Sequence, residues 1–152
     1  MGLFGRKKKT FDHEIGFNLL SENKFQEALE YFQLLPIEEW TEENMMTISG
    51  TANAFNGLKQ YAKARAAYEI MLSFKLTRNN KGLKMTVLGG ISNTYLDEKN
   101  YKKTLEYANL MLSIEPNDTM SSILKDQSLL MLKNEKILGE AESKKSFDDS
   151  ES

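Results

Sequence analysis

A chain of 152 residues is long enough to bury one continuous core and too short for two independent globular units joined by linkers. Its 20 Lys and Arg stand against 22 Asp and Glu, a formal charge of -2, so no global basic field attracts nucleic acid and none is expected as a partner. The absence of cysteine excludes a disulfide framework, a thiolate zinc site and a thiol nucleophile, and suits a reducing, cytoplasmic setting.

Residues 1–9 open with a basic cluster, Arg6, Lys7, Lys8 and Lys9, expected to form a flexible solvated end with at most a weak attraction to anionic lipid. Thr10 to Glu14 is polar where a secretory signal needs an apolar run, and Arg6 stands where a myristoylation start after Gly2 wants Ser or Thr.

From Asp12 to Ile137 apolar residues return every three or four positions, which predicts seven helices over 11–21, 24–35, 42–56, 61–75, 82–96, 101–113 and 118–137. Pro36 and Pro116 each follow an apolar helical stretch, where proline stops a helix without breaking its interior. Short polar joints at 21–23, 57–60, 77–80 and 97–100 suit connections between antiparallel helices. Valine occurs once, at Val87, and no alternating run suggests a strand, so the fold class is all-α. The domain is placed at 10–138, with an acidic tail over 139–152 that has little to bury and is expected to be disordered.

The second helix of each pair carries a common pattern: Phe25, Ala28, Phe32, then Tyr61, Ala64, Tyr68, then Tyr101, Thr104, Ala108. Twelve residues before each central small residue stand Gly16, Ala52 and Ser92, and nine before stand Leu19, Phe55 and Tyr95. A small residue where helices cross closely and a large one beside it is what packed helix pairs require.

Over about residues 10–117 this resembles the tetratricopeptide repeat, with three degenerate copies spaced 64 − 28 = 36 and 104 − 64 = 40 residues apart against about 34 in the family. No copy has the family's helix-A tryptophan, and only Pro116 supplies its terminal proline. The resemblance implies a right-handed superhelical array of antiparallel helix pairs, closed by a capping helix at 118–137.

Catalytic residues are not expected. His13 is the sole histidine, the pairs Glu38-Glu39 and Asp148-Asp149 fall in a joint and in the tail, and Gly89-Gly90 lies within a helix, not ahead of one. Neither a metal nor a cofactor is implied. The glycine pair is expected to allow close packing or to leave concave space, and Trp40 to anchor neighbouring pairs.

In the resembled family the first helix of each pair lines a concave groove for peptide segments. Carried over by position, this assigns partner binding to His13, Phe17, Met46, Ser49, Asn53, Asn56, Thr86 and Asn93, with Gly89 and Leu96 nearby. Asparagine both donates and accepts, so Asn53 and Asn93, at matching places, suit a partner's backbone. The family's carboxylate clamp is not matched, because His13, Phe17, Gly50, Thr86 and Gly90 stand at its positions. The expected function is a non-enzymatic scaffold or adaptor for a protein or peptide ligand. The alternative is a structural protein forming a homodimer through its edge or capping helix.

Overall fold

The computed structural model describes residues 12–151, which form eight α-helices: α1 (His13–Ser21), α2 (Phe25–Phe32), α3 (Met45–Gly57), α4 (Tyr61–Ser73), α5 (Lys75–Asn79), α6 (Lys81–Asp97), α7 (Tyr101–Ile114) and α8 (Thr119–Ser150). Among the described residues there is no strand, and no helix is long and apolar enough to cross a membrane. The basic cluster Arg6 to Lys9 lies outside the described residues.

Three antiparallel pairs, α1 with α2, α3 with α4 and α6 with α7, close through the same turn. Asn23, Lys59 and Lys99 adopt φ of 59, 60 and 61°. In each turn the following residue's N–H returns to a carbonyl five positions back: Lys24 to Leu19 at 2.9 Å, Gln60 to Phe55 at 2.8 Å, Asn100 to Tyr95 at 2.8 Å. A left-handed residue with these bonds is how a helix end satisfies its orphan carbonyls before the chain reverses.

Four helices are capped at their start by an Asx side chain. Asp12, Asn80, Asn100 and Asp118 each accept a bond from a backbone N–H two or three residues on.

Pair packs on pair through rings set over small residues. The Phe32 ring is wedged between α1 and α3, where a Cβ added at Gly16 or Gly50 would come within 2.4 or 2.2 Å of it. Tyr68 repeats this against α6, where a Cβ at Gly90 would lie 2.5 Å from its ring. The small residues picked out by the pattern, Gly16, Ala28, Ala52, Ala64, Ser92 and Thr104, are all buried. Arg65 ties α4 to α6 by an ion pair to Glu98 at 2.9 Å and by stacking over Tyr95 at 4.2 Å.

The structure departs from the seven expected helices in three places. Thr41 and Asn44 form a reciprocal capping box that delays α3 to Met45, behind two 3-10 turns over Ile37–Glu39 and Glu42–Asn44. Phe74, with ψ of 141°, breaks the fourth helix and sets off α5 where a polar joint was expected.

The third departure is the tail expected to be disordered, which instead continues α8 to Ser150 although every residue from Lys133 to Ser150 is exposed. Burial is not needed once a helix is nucleated. The first half of α8 packs on α7 through Ser121, Leu124 and Ser128, and each further residue then adds one backbone bond.

Candidate functional site

A cleft of about 450 Å³ opens between α3, α6 and the start of α8. Ser49 and Asn53 come from α3, Thr86, Gly89 and Asn93 from α6, and Asp118 and Met120 from the entry to α8. The 3.6-residue helical repeat puts Thr86, Gly89 and Asn93 on one face, three and four residues apart. Four of the eight sequence-assigned residues, Ser49, Asn53, Thr86 and Asn93, therefore meet in one place.

The other four do not join them. His13 Nδ1 lies 3.1 Å from the Thr47 hydroxyl, at the α1–α3 contact. Phe17 packs edge-on against Phe32 at 5.4 Å and belongs to the core. Asn56 donates to Asp97 at 2.7 Å, binding α3 to α6 beside a second hollow that shares only Asn53 with the cleft. Met46 is 55% exposed but lines no part of the cleft. A match by position places a residue on a helix; whether it reaches the cleft depends on which neighbour fills the space above it.

The two asparagines also differ. Asn53 Oδ1 accepts a 2.6 Å bond from the Tyr68 hydroxyl, so this side chain is part of the packing as well as of the cleft. Burial pushes the Tyr68 hydroxyl up to about 12. Asn93 is exposed and makes no hydrogen bond among the described residues, leaving its whole amide available.

Sequence reasoning missed the methionines. Met71, Met85, Met111 and Met120 line the cleft, with Met71 and Met111 buried in its floor. A signal was present: Met71 and Met111 each stand seven residues after the small residue of the pattern, 64 + 7 and 104 + 7. Methionine's flexible thioether fits partners of irregular shape.

The glycine pair divides its labour. Gly90 lies under Tyr68, whereas a Cβ at Gly89 would meet only Met111 Cε, at 3.6 Å, and Gly89 keeps the cleft open.

The lining carries one formal charge, Asp118, and no Lys, Arg or His. Hydrogen bonds from the Ser121 hydroxyl at 2.5 Å and backbone N–H at 2.7 Å hold the Asp118 carboxyl below its usual range. The cleft thus offers an apolar floor, amide and hydroxyl groups on the walls and a carboxylate at one edge. Among the described residues no three His, Cys, Asp or Glu gather to hold a metal ion. No family model and no curated protein matches the chain.

Proposed function

We propose that this chain is a non-catalytic scaffold of tetratricopeptide type that holds a partner peptide in the cleft between α3, α6 and α8. The observation that carries the reading is the convergence there of four methionines with Ser49, Asn53, Thr86 and Asn93. Apolar partner side chains would pack on the methionines while the Asn93 amide pairs with the partner's backbone. The three like turns and the recurring ring over a small residue support the array of repeats. A carboxylate clamp is disfavoured on physical grounds: Gly50 and Gly90 lie beneath aromatic rings, leaving no room for a cationic side chain.

The test is selection of peptides on the wild-type protein from a displayed random library, followed by titration in solution. Gly89→Leu fills the cleft and should weaken the selected peptides at least tenfold, while the α7 surface change Lys102→Ala should leave them alone. Peptides that bind Gly89→Leu as well as wild type would sink the reading.

One observation favours self-association as a second reading. Ile123, Leu130 and Ile137 recur at seven-residue intervals along α8 and are 51, 58 and 52% exposed. Light scattering that shows a monomer mass up to high concentration would remove this reading.

A further inference from the structure

A second pocket, about 320 Å³ and mostly apolar, lies at the joint between the first two helix pairs, walled by Leu35, Pro36, Ile37, Trp40 and Phe55. Trp40 Nε1 is buried beside it with no hydrogen-bond partner. Buried donors in folded proteins are nearly always hydrogen-bonded, so an unpaired one is uncommon.

The surroundings are of one sign. From Phe25 to Leu58 the chain has no Lys, Arg or His but six glutamates, of which Glu38, Glu39, Glu42 and Glu43 flank Ile37 and Trp40 on the two 3-10 turns. Those four are exposed and none forms an ion pair among the described residues. An occupant should therefore join an apolar side chain to a run of cations.

The chain contains such a segment. Leu3-Phe4-Gly5 is followed by Arg6-Lys7-Lys8-Lys9, and these residues lie outside the described part. The Tyr31 hydroxyl donates to the Asp12 carbonyl at 2.7 Å, which ties the first described residue to the end of α2, and the chain leaving α2 at Gln33 forms part of the pocket wall. Phe4 stands eight positions before Asp12, a reach of up to about 26–29 Å when extended.

We propose that the Trp40 pocket is the docking site of this chain's own N-terminal segment, with Leu3 or Phe4 entering the pocket and Arg6 to Lys9 lying across Glu38, Glu39 and Glu43. Tethering raises the local concentration of the segment to the millimolar range, so modest contacts suffice to hold it. Because the attraction is between exposed charges, salt at 1 M, with a screening length near 3 Å, should release it.

The native chain has no cysteine and a single tryptophan, which makes two clean readouts available. In the full-length double variant Gly5→Cys/Gln33→Cys, which keeps Leu3, Phe4 and Ile37, mild oxidation at low salt should give a monomeric disulfide at least ten times faster than in Gly5→Cys/Lys102→Cys. Adding Arg6→Ala/Lys7→Ala/Lys8→Ala/Lys9→Ala should slow it at least fivefold. In the cysteine-free chain those same four alanines should raise acrylamide quenching of Trp40 about twofold. Disulfides formed only between two molecules would assign the pocket to a second copy and overturn the proposal. Equal rates in the two cysteine pairs, or quenching of Trp40 indifferent to the four alanines, would overturn it as well.

Discussion

Replacing Asn53 and Asn93 singly by alanine should separate two residues that look equivalent along the chain. Tyr68 is only 6% exposed, and its hydroxyl has Asn53 as its one partner among the described residues, at 2.6 Å. Asn53→Ala leaves that hydroxyl buried and unsatisfied, a cost of about 1–3 kcal/mol, against which the better helix propensity of alanine returns at most about 0.7 kcal/mol. The net loss, about 0.3–2.3 kcal/mol when that return is realised in full, corresponds to a fall of about 1–9 °C in Tm for a chain of this size. Asn93→Ala breaks no bond and should leave Tm unchanged or slightly raised. Tyr68→Phe should cost less than Asn53→Ala, since the exposed Asn53 regains water, and the double variant should resemble Tyr68→Phe.

The burial of that hydroxyl has a pH signature of its own. In the unfolded chain a tyrosine ionises near 10, whereas folding holds Tyr68 neutral until about 12. Its contribution is therefore intact below pH 10 and is lost as pH rises from 10 to 12, because the unfolded state gives up the proton first. Wild type should lose stability across that window faster than Tyr68→Phe. Urea unfolding at pH 8, 10 and 11 checks both statements. If Asn53→Ala is as stable as Asn93→Ala, the Tyr68–Asn53 bond does not act as argued; if Tyr68→Phe has the same alkaline slope as wild type, the burial of Tyr68 does not.

Gly90→Ala should destabilise by about 1–3 kcal/mol because its Cβ meets the buried Tyr68 ring, while Gly89→Ala should add up to about 1 kcal/mol of helix stability; thermal melts of the two give opposite signs. Lys59→Gly and Lys99→Gly should each raise stability by about 0.5–1 kcal/mol, since both lysines hold φ near 60°, where glycine has no steric penalty; denaturant midpoints would show it. Removing residues 140–152 should leave the melting curve nearly unchanged and lower only helix content by circular dichroism. Removing 118–152 should expose Ala108 and Met111 and cause aggregation on heating, detectable by light scattering.

The sequence by itself determined the helical class, the order of the helices and the small residues on which they cross. Each of these follows from local rules: apolar spacing of three and four, short polar joints between apolar stretches, and a small side chain wherever two backbones approach. Ala28, Ala64 and Thr104 stand out along the chain for that reason, and all three are buried. The same local rules put Thr86, Gly89 and Asn93 on one face of their helix.

What only the tertiary structure decided is which of those faces shares a cavity and which is already occupied. Phe17 and His13 have the helical spacing of groove residues, but Phe32 and Thr47 from other helices lie against them. Asn53 and Asn93 match in register, yet Tyr68 claims only the first, and Met71, Met85, Met111 and Met120 converge from four helices separated by as many as 49 residues (120 − 71). The length of α8 has a related cause: its second half is exposed, but its packed first half supplies the nucleus from which the helix propagates. Spacing along a chain fixes the direction of a side chain on its own helix, whereas the partner it meets depends on how distant helices pack, and that information is not local.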